Sequence, residues 1–254
     1  MVTVAATAIR LLEELTLNAW PSLQTCCYDG WLLRFANGYT RRANSVNPLY
    51  PSEIDPSEKI AFCEQAFAAH GLDVAFKITA ASEPGELDAH LADQGYQCEG
   101  CTSVYMLDDL GAISPPEYEN AIIETEPTDN WLAALCALNE STSQHLPTVR
   151  QMLDANANPQ AFVRLQENGA TIALGFAALE RGYVGIYRVV TAAHKRRQGI
   201  GTQLMRHLVQ WAKGQGAQHA YLQVMNDNPP ALYLYAKMGF RAMYDYWYRV
   251  KRIH

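Results

Sequence analysis

The chain has 254 residues, with 20 Lys and Arg against 26 Asp and Glu. At about 150 residues per domain this is one large or two small domains, long enough to bury a core; a hydrophobic share of 49% excludes disorder and a net charge of −6 excludes a general nucleic-acid coat. Apolar runs stay short of the roughly 18 residues of a membrane helix, and Arg10, Glu13 and Glu14 break up any leader-like start, so a cytoplasmic protein with six reduced cysteines, bound to neither membrane nor nucleic acid, is expected.

The spacing of Ile9, Leu12 and Leu15 predicts a helix over 3–18, ended by Trp20-Pro21. Residues 30–35 read as a strand, with Asn37-Gly38 as a hairpin turn into a second strand over 39–46. A loop rich in Pro and Ser occupies 47–57. A helix over 58–69, a strand over 74–78, a short helix over 86–94 and a strand over 97–107 follow. The last strand carries Cys98-Glu99-Gly100-Cys101. That C-x-x-C lacks the second pair of a zinc ribbon and the helix start of a redox site, so no metal is expected there. Residues 108–118, with Gly111, Pro115 and Pro116, make the best linker. They divide the chain into domains over 1–117 and 118–254.

The second half opens with a strand over 120–124 and a helix capped by Thr128-Asp129. The polar stretch 140–147 leads to a helix over 148–155. Strands over 162–166 and 171–180 flank the turn Asn168-Gly169, and Gly182 turns the chain into a strand over 183–191. Ile200, Leu204, Leu208 and Ala212 place an amphipathic helix over 202–213. A strand over 219–225, a short helix over 230–238 and a strand over 244–250 complete the chain. The halves repeat: Gly38-Tyr39 matches Gly182-Tyr183, and Gly95-Tyr96 matches Gly239-Phe240, both at an offset of 144.

Arg196-x-x-Gly199-x-Gly201, between a strand and that amphipathic helix, has the logic of an anion site. Glycines let the backbone approach a ligand, and amides at a helix N-terminus point at it. From 191 to 213 there are five Lys or Arg and no Asp or Glu, so an acidic chain carries a local basic segment. The pattern is neither a P-loop nor the dinucleotide fingerprint.

This unit, together with Asn228-Pro229-Pro230-Ala231-Leu232-Tyr233-Leu234-Tyr235-Ala236-Lys237-Met238-Gly239-Phe240, resembles the GNAT superfamily of acyl-CoA-dependent N-acyltransferases. The resemblance implies a mixed α/β (α+β) fold: tandem GNAT-like domains, each a mostly antiparallel twisted sheet flanked by helices. It implies that Arg196, Arg197, Gln198, Gly199, Ile200, Gly201 and Thr202 hold the CoA pyrophosphate. Val189 and Val190 would pair with the pantetheine arm, and Asn228 would contact the cofactor beside it. Tyr235 would be the general acid for the departing thiolate. Many members carry a Glu on the strand before the loop; here that strand reads Gly185-Ile186-Tyr187-Arg188-Val189-Val190-Thr191. Glu180, Glu140, His145 or water stand as candidates for the base, with Glu180 taken as the catalytic partner of Tyr235.

The first half has Asn47 to Ser57 where the loop should lie; its prolines remove amide donors, and Glu53 and Asp55 repel phosphate. It is expected to be a degenerate GNAT-like domain without CoA, whose Arg-rich segment (Arg34, Arg41, Arg42) either faces the acceptor site or pairs with acidic surface. The expected activity is transfer of an acyl group, acetyl first, from acyl-CoA to an amine by direct attack on the thioester. The alternative is a catalytically silent CoA-binding sensor. Acetyl-CoA or another acyl-CoA is the co-substrate and an amine-bearing acceptor the partner, with no metal, in a monomer or dimer.

Overall fold

The computed structural model describes residues 4–252, apart from the side chains of Glu140 and Ser141. In chain order its elements are α1 (Ala6–Ala19), β1 (Gln24–Tyr28), β2 (Trp31–Phe35), β3 (Val46–Pro48), α2 (Pro56–Ala69), β4 (Val74–Thr79), α3 (Leu87–Asp93), β5 (Gln97–Leu107), β6 (Ala121–Glu124), α4 (Asp129–Leu138), α5 (Leu146–Asp154), β7 (Gln160–Glu167), β8 (Ala170–Glu180), β9 (Tyr183–Thr191), α6 (Ile200–Gly214), β10 (His219–Met225), α7 (Pro229–Lys237) and β11 (Arg241–Lys251). Short 3-10 turns occupy Arg41–Ala43, Leu110–Ala112, Glu140–His145 and Ala193–Lys195.

These elements fold into two compact units. The first is Met1–Ser103 with Met243–His254, and the second is Val104–Ala242. The division follows strand pairing rather than the linker at 108–118. β11 runs antiparallel to β4, from Tyr246↔Thr79 to Lys251↔Val74, so most of the last strand goes with the first unit. β5 contributes Gln97–Ser103 to the first unit and Val104–Leu107 to the second.

In the first unit β1 and β2 are antiparallel, β2 and β3 antiparallel, and β3 and β4 parallel. Its core gathers Trp31, Phe67, Phe76 and Tyr96. The hairpin expected at Asn37-Gly38 instead closes at Asp29-Gly30, between β1 and β2. The reason is Asn44. Its Oδ1 accepts from the amides of Ala36 (2.7 Å) and Gly38 (3.1 Å), and its Nδ2 donates to the carbonyls of Tyr39 and Thr40, both at 2.9 Å. Those are backbone groups that a ladder over 39–46 would need.

A buried ion pair sits inside this unit. Lys77 on β4 donates to Glu13 on α1 at 2.5 Å, Tyr244 donates to the same carboxylate at 2.7 Å, and the ammonium lies 4.0 Å over the ring of Tyr246. Removing one member of a buried pair strands the other charge in low dielectric. Glu13→Ala is expected to lose about 3–5 kcal/mol of unfolding free energy, read from the urea midpoint at unchanged m-value. Arg34, expected either to face the acceptor site or to pair with acidic surface, is buried and donates to the carbonyls of Arg42 (2.6 Å), Leu17 (3.2 Å) and Trp20 (2.5 Å). Arg41 pairs with Glu99.

In the second unit β6, β7, β8 and β9 form an antiparallel run, and β10 joins β9 in parallel. α6 covers one face, seating Leu204, Met205, Leu208 and Val209 on Ala173, Ala177, Val184 and Ile186. On α4, Trp131 meets Phe162 and Phe176 edge-on, at ring separations of 5.0 and 6.2 Å. Both units are thus mixed sheets flanked by helices.

Candidate acyl-transfer site

Every predicted site residue lies in the second unit. The parallel register of β9 with β10 runs from Tyr183↔His219 to Ile186↔Leu222. Both strands continue past it, β9 to Thr191 and β10 to Met225. At that point β9 also shifts register against β8: Phe176 faces Tyr187 and Leu174 faces Val190, so Arg188 and Val189 share the single partner Gly175. This is a β-bulge, with Arg188 at φ 55. A Cβ on Gly175 would lie 3.3 Å from Leu208 and 3.4 Å from the Tyr187 carbonyl, so the glycine lets α6 approach the bulge. The bulge interrupts the regular β8–β9 register at 188–189 and bends the strand there. A glycine inside a strand was the one signal in the sequence that could have located it.

The loop after β9 turns into α6 through Gly199 at φ 80, a left-handed N-cap with open space where a Cβ would project. Here glycine serves conformation rather than room. The first intrahelical bond is Gln203 N–H to the Gly199 carbonyl at 3.1 Å, so the amides of Ile200, Gly201 and Thr202 have no helical acceptor. No side chain caps the helix and its first turn holds no acid, which leaves the positive end of the dipole open to an anion. A Cβ on Gly201 would lie 3.3 Å from Leu234 and 3.7 Å from Thr191 Oγ1. The end of β9, the start of α6 and the middle of α7 therefore converge here.

The loop side chains divide their work. Arg196 donates to the Thr191 carbonyl at 3.4 Å, Gln198 to the His194 carbonyl at 2.8 Å, and Lys195 pairs with Glu167. These bonds shape the loop, while Arg197, at φ 59, is exposed. Asn228 is the N-cap of α7, its Oδ1 accepting from the Ala231 amide at 3.3 Å. Tyr235 lies in the core cluster of α6, β9 and β10, with its ring 6.1 Å from Phe240. Burial pushes its phenol up to about 12, so it stays protonated across the working range.

Glu180 lies elsewhere. It pairs with Tyr183 at the turn between β8 and β9, six residues along the strand from the Leu174↔Val190 pair, or about 20 Å. Its carboxylate meets Arg181 at 3.1 Å and Asn158 at 3.4 Å. The structure does not bring it to Tyr235. His145 stands on the Glu140–His145 turn with Nε2 3.3 Å from Gln144, and the Glu140 side chain lies outside the described residues.

Two features beside the bulge were not read from the sequence. Tyr187 and Tyr221 bring their hydroxyls to 3.0 Å, and a Cβ on Gly185 would fall 2.5 Å from the Tyr221 oxygen, which is why that position has no side chain. Arg188 is lowered to about 10 by burial alone. A separate cleft of about 850 Å³, lined by Asp129, Arg150, Gln160, Trp211 and Gln215 among others, opens at the C-terminal end of α6, away from the loop. Among the described residues, no three His, Cys, Asp or Glu side chains form a group that could hold a metal.

The family described as "Probable histone acetyltransferase Rv0428c C-terminal" matches residues 6–249. The uncharacterized N-acetyltransferase YobR of Bacillus subtilis is 31% identical over 249 residues, covering 96% of this chain and 99% of that protein. Among solved structures, a GCN5-related N-acetyltransferase from Kribbella flavida superposes with a TM-score of 0.71 at 17% identity, over 100% of this chain and 98% of that one. A tandem GNAT protein from the clavulanic acid biosynthesis pathway gives 0.60 at 14% identity, over 78% and 70%. At such identities the structures speak for the fold, and the sequence matches for descent. With loop, bulge and parting strands in one unit, the chain belongs to the GCN5-related N-acetyltransferase (GNAT) superfamily and is an N-acetyltransferase.

Proposed function

We propose that the second unit transfers an acetyl group from acetyl-CoA to an amine by direct attack on the thioester. The observation that carries this reading is the parting of β9 and β10 beside an uncapped, acid-free helix N-terminus. The amides of 200–202, with Arg197, receive the pyrophosphate. Val189 and Val190 offer the free edge of β9 to the pantetheine arm as a strand would. Asn228 contacts that arm while holding the start of α7.

Acetyl-CoA supplies the activated acyl carbon. The chain's own part is to polarise the carbonyl, through a backbone N–H near Val189, and to protonate the leaving sulfur, through Tyr235. Held at about 12 by burial, the phenol carries its proton at working pH and can donate it to the departing sulfur. With Glu180 far from the bulge, the amine's proton leaves through water. The first unit, without the loop motif, serves as a degenerate GNAT-like domain in a tandem arrangement.

The test is thiol release from acetyl-CoA with a panel of amines. Turnover of at least one amine is expected. Tight acetyl-CoA binding with no turnover on any amine would favour the silent sensor instead.

A further inference from the structure

The first unit carries a counterpart of the α6 loop, 144 positions earlier. Asp55 caps α2 where Gly199 caps α6, so Glu53 and Ile54 hold the places of Arg197 and Gln198. Their amides do point at an anion, and the anion is a side chain of the same unit. Asp29 Oδ2 accepts from Glu53 N at 3.0 Å and from Ile54 N at 2.9 Å, and Oδ1 accepts from Glu53 N at 3.2 Å. Lys59, in the first turn of α2, has a fully buried side chain; its ammonium is 3.2 Å from Asp29 Oδ2 and 4.0 Å over the ring of Trp31, and it also donates to the Asp29 carbonyl. The tight turn at Asp29 (φ 40) and Gly30 (φ 80) between β1 and β2 aims the carboxylate. The amide of Ile54, above all, holds that carboxyl below the usual carboxylate range.

A buried ammonium without a counter-charge is strongly disfavoured, so two convergent amides and Lys59 make a place that requires an anion. Asp29 remains one-fifth exposed, so the place can be reached from solvent. We propose that Glu53, Ile54 and Lys59 form an anion-binding site which the chain fills with its own Asp29 carboxylate, and which takes a free small oxyanion, carboxylate or phosphate, once that side chain is removed. The first unit is then closed to a CoA pyrophosphate by occupation, not by lack of donors. Only the comparison with α6 rests on the proposed function; the cradle stands on its own contacts.

Thermal unfolding of Asp29→Gly decides it, glycine being at ease at φ 40. The variant is expected to melt several degrees below wild type. Formate or inorganic phosphate at tens of millimolar should then raise its Tm saturably, sodium chloride at equal ionic strength should not, and the wild type should stay unmoved. Asp29→Asn, which fills the space without the charge, is expected to melt lower but to gain nothing from either anion. An unchanged Tm in Asp29→Gly, or an equal rise in wild type and variant, would overturn the proposal. Should Asp29→Gly fail to fold in chloride, its refolding yield in formate or phosphate is read instead, with Asp29→Asn as the folded control; no recovery would overturn it as well. Acetyl-CoA binding by the wild type is followed in parallel. Its absence would undo the proposed function while leaving the rescue result intact.

Discussion

Phenylalanine at Tyr235 is expected to lower kcat about a hundredfold or more, the usual contribution of a positioned general acid, while the Kd for acetyl-CoA stays within about a factor of two. The change removes one oxygen from a packed ring and leaves its contact with Phe240 in place, so Tm should move little. The pH profile separates a chemical role from a packing one. A phenol must be protonated to donate, and burial holds this one protonated up to about 12. The wild-type kcat should therefore show no alkaline fall assignable to Tyr235 below about pH 11, and the variant should trace the same curve at a lower level. Equal kcat in the two proteins would remove Tyr235 from the chemistry and leave it as core.

Gly199→Asp is expected to weaken acetyl-CoA binding about a hundredfold, or about 2.7 kcal/mol, by placing a carboxylate in the loop proposed to receive the pyrophosphate. Its effect on folding should be modest but unfavourable, about 1 kcal/mol, because Gly199 sits at φ 80, where a side chain is strained. Asp55, which caps α2 by accepting from the Ser57 amide, does so from φ -53, so its capping does not carry over to position 199. A variant that still folds cooperatively, melting a few degrees below wild type, yet no longer binds acetyl-CoA, measured by calorimetry, is the expected outcome. Unchanged affinity would show that the loop does not hold the phosphates.

The second unit was legible almost element by element, because its signals are local. Asn168-Gly169 marks a hairpin, Thr128 caps α4 by accepting from the Trp131 amide at 3.2 Å, and the four-residue spacing of Ile200, Leu204, Leu208 and Ala212 lays one face of α6 on the sheet. The loop was legible for the same reason, since Gly199 and Gly201 are read by their spacing. What stayed hidden depends on partners distant in sequence. Asn44 turns residues 36–44 into a knot of side-chain bonds, which no period reveals. The bulge at Arg188 and Val189 is a property of the β8–β9 register, not of β9 alone. Glu180 looked available because it lies on the strand beside β9, yet strand direction carries it to the far turn. Asp29 carries no signal in the sequence pattern, and only the fold reveals that it serves a lysine 30 positions later.

The assignment of Met243–His254 to the first unit has a consequence for how the chain comes to be folded. Domains made on the ribosome ordinarily complete themselves in order, the N-terminal one first. Here β4 receives its antiparallel partner, and Glu13 its bond from Tyr244, only after all of Val104–Ala242 has been synthesised. Until then Lys77 and Glu13 lack the aromatic cover of Tyr244 and Tyr246, and the nascent first unit presents an unpaired strand edge, while the second unit is free to close ahead of it. The part of the molecule that begins first is the part that finishes last.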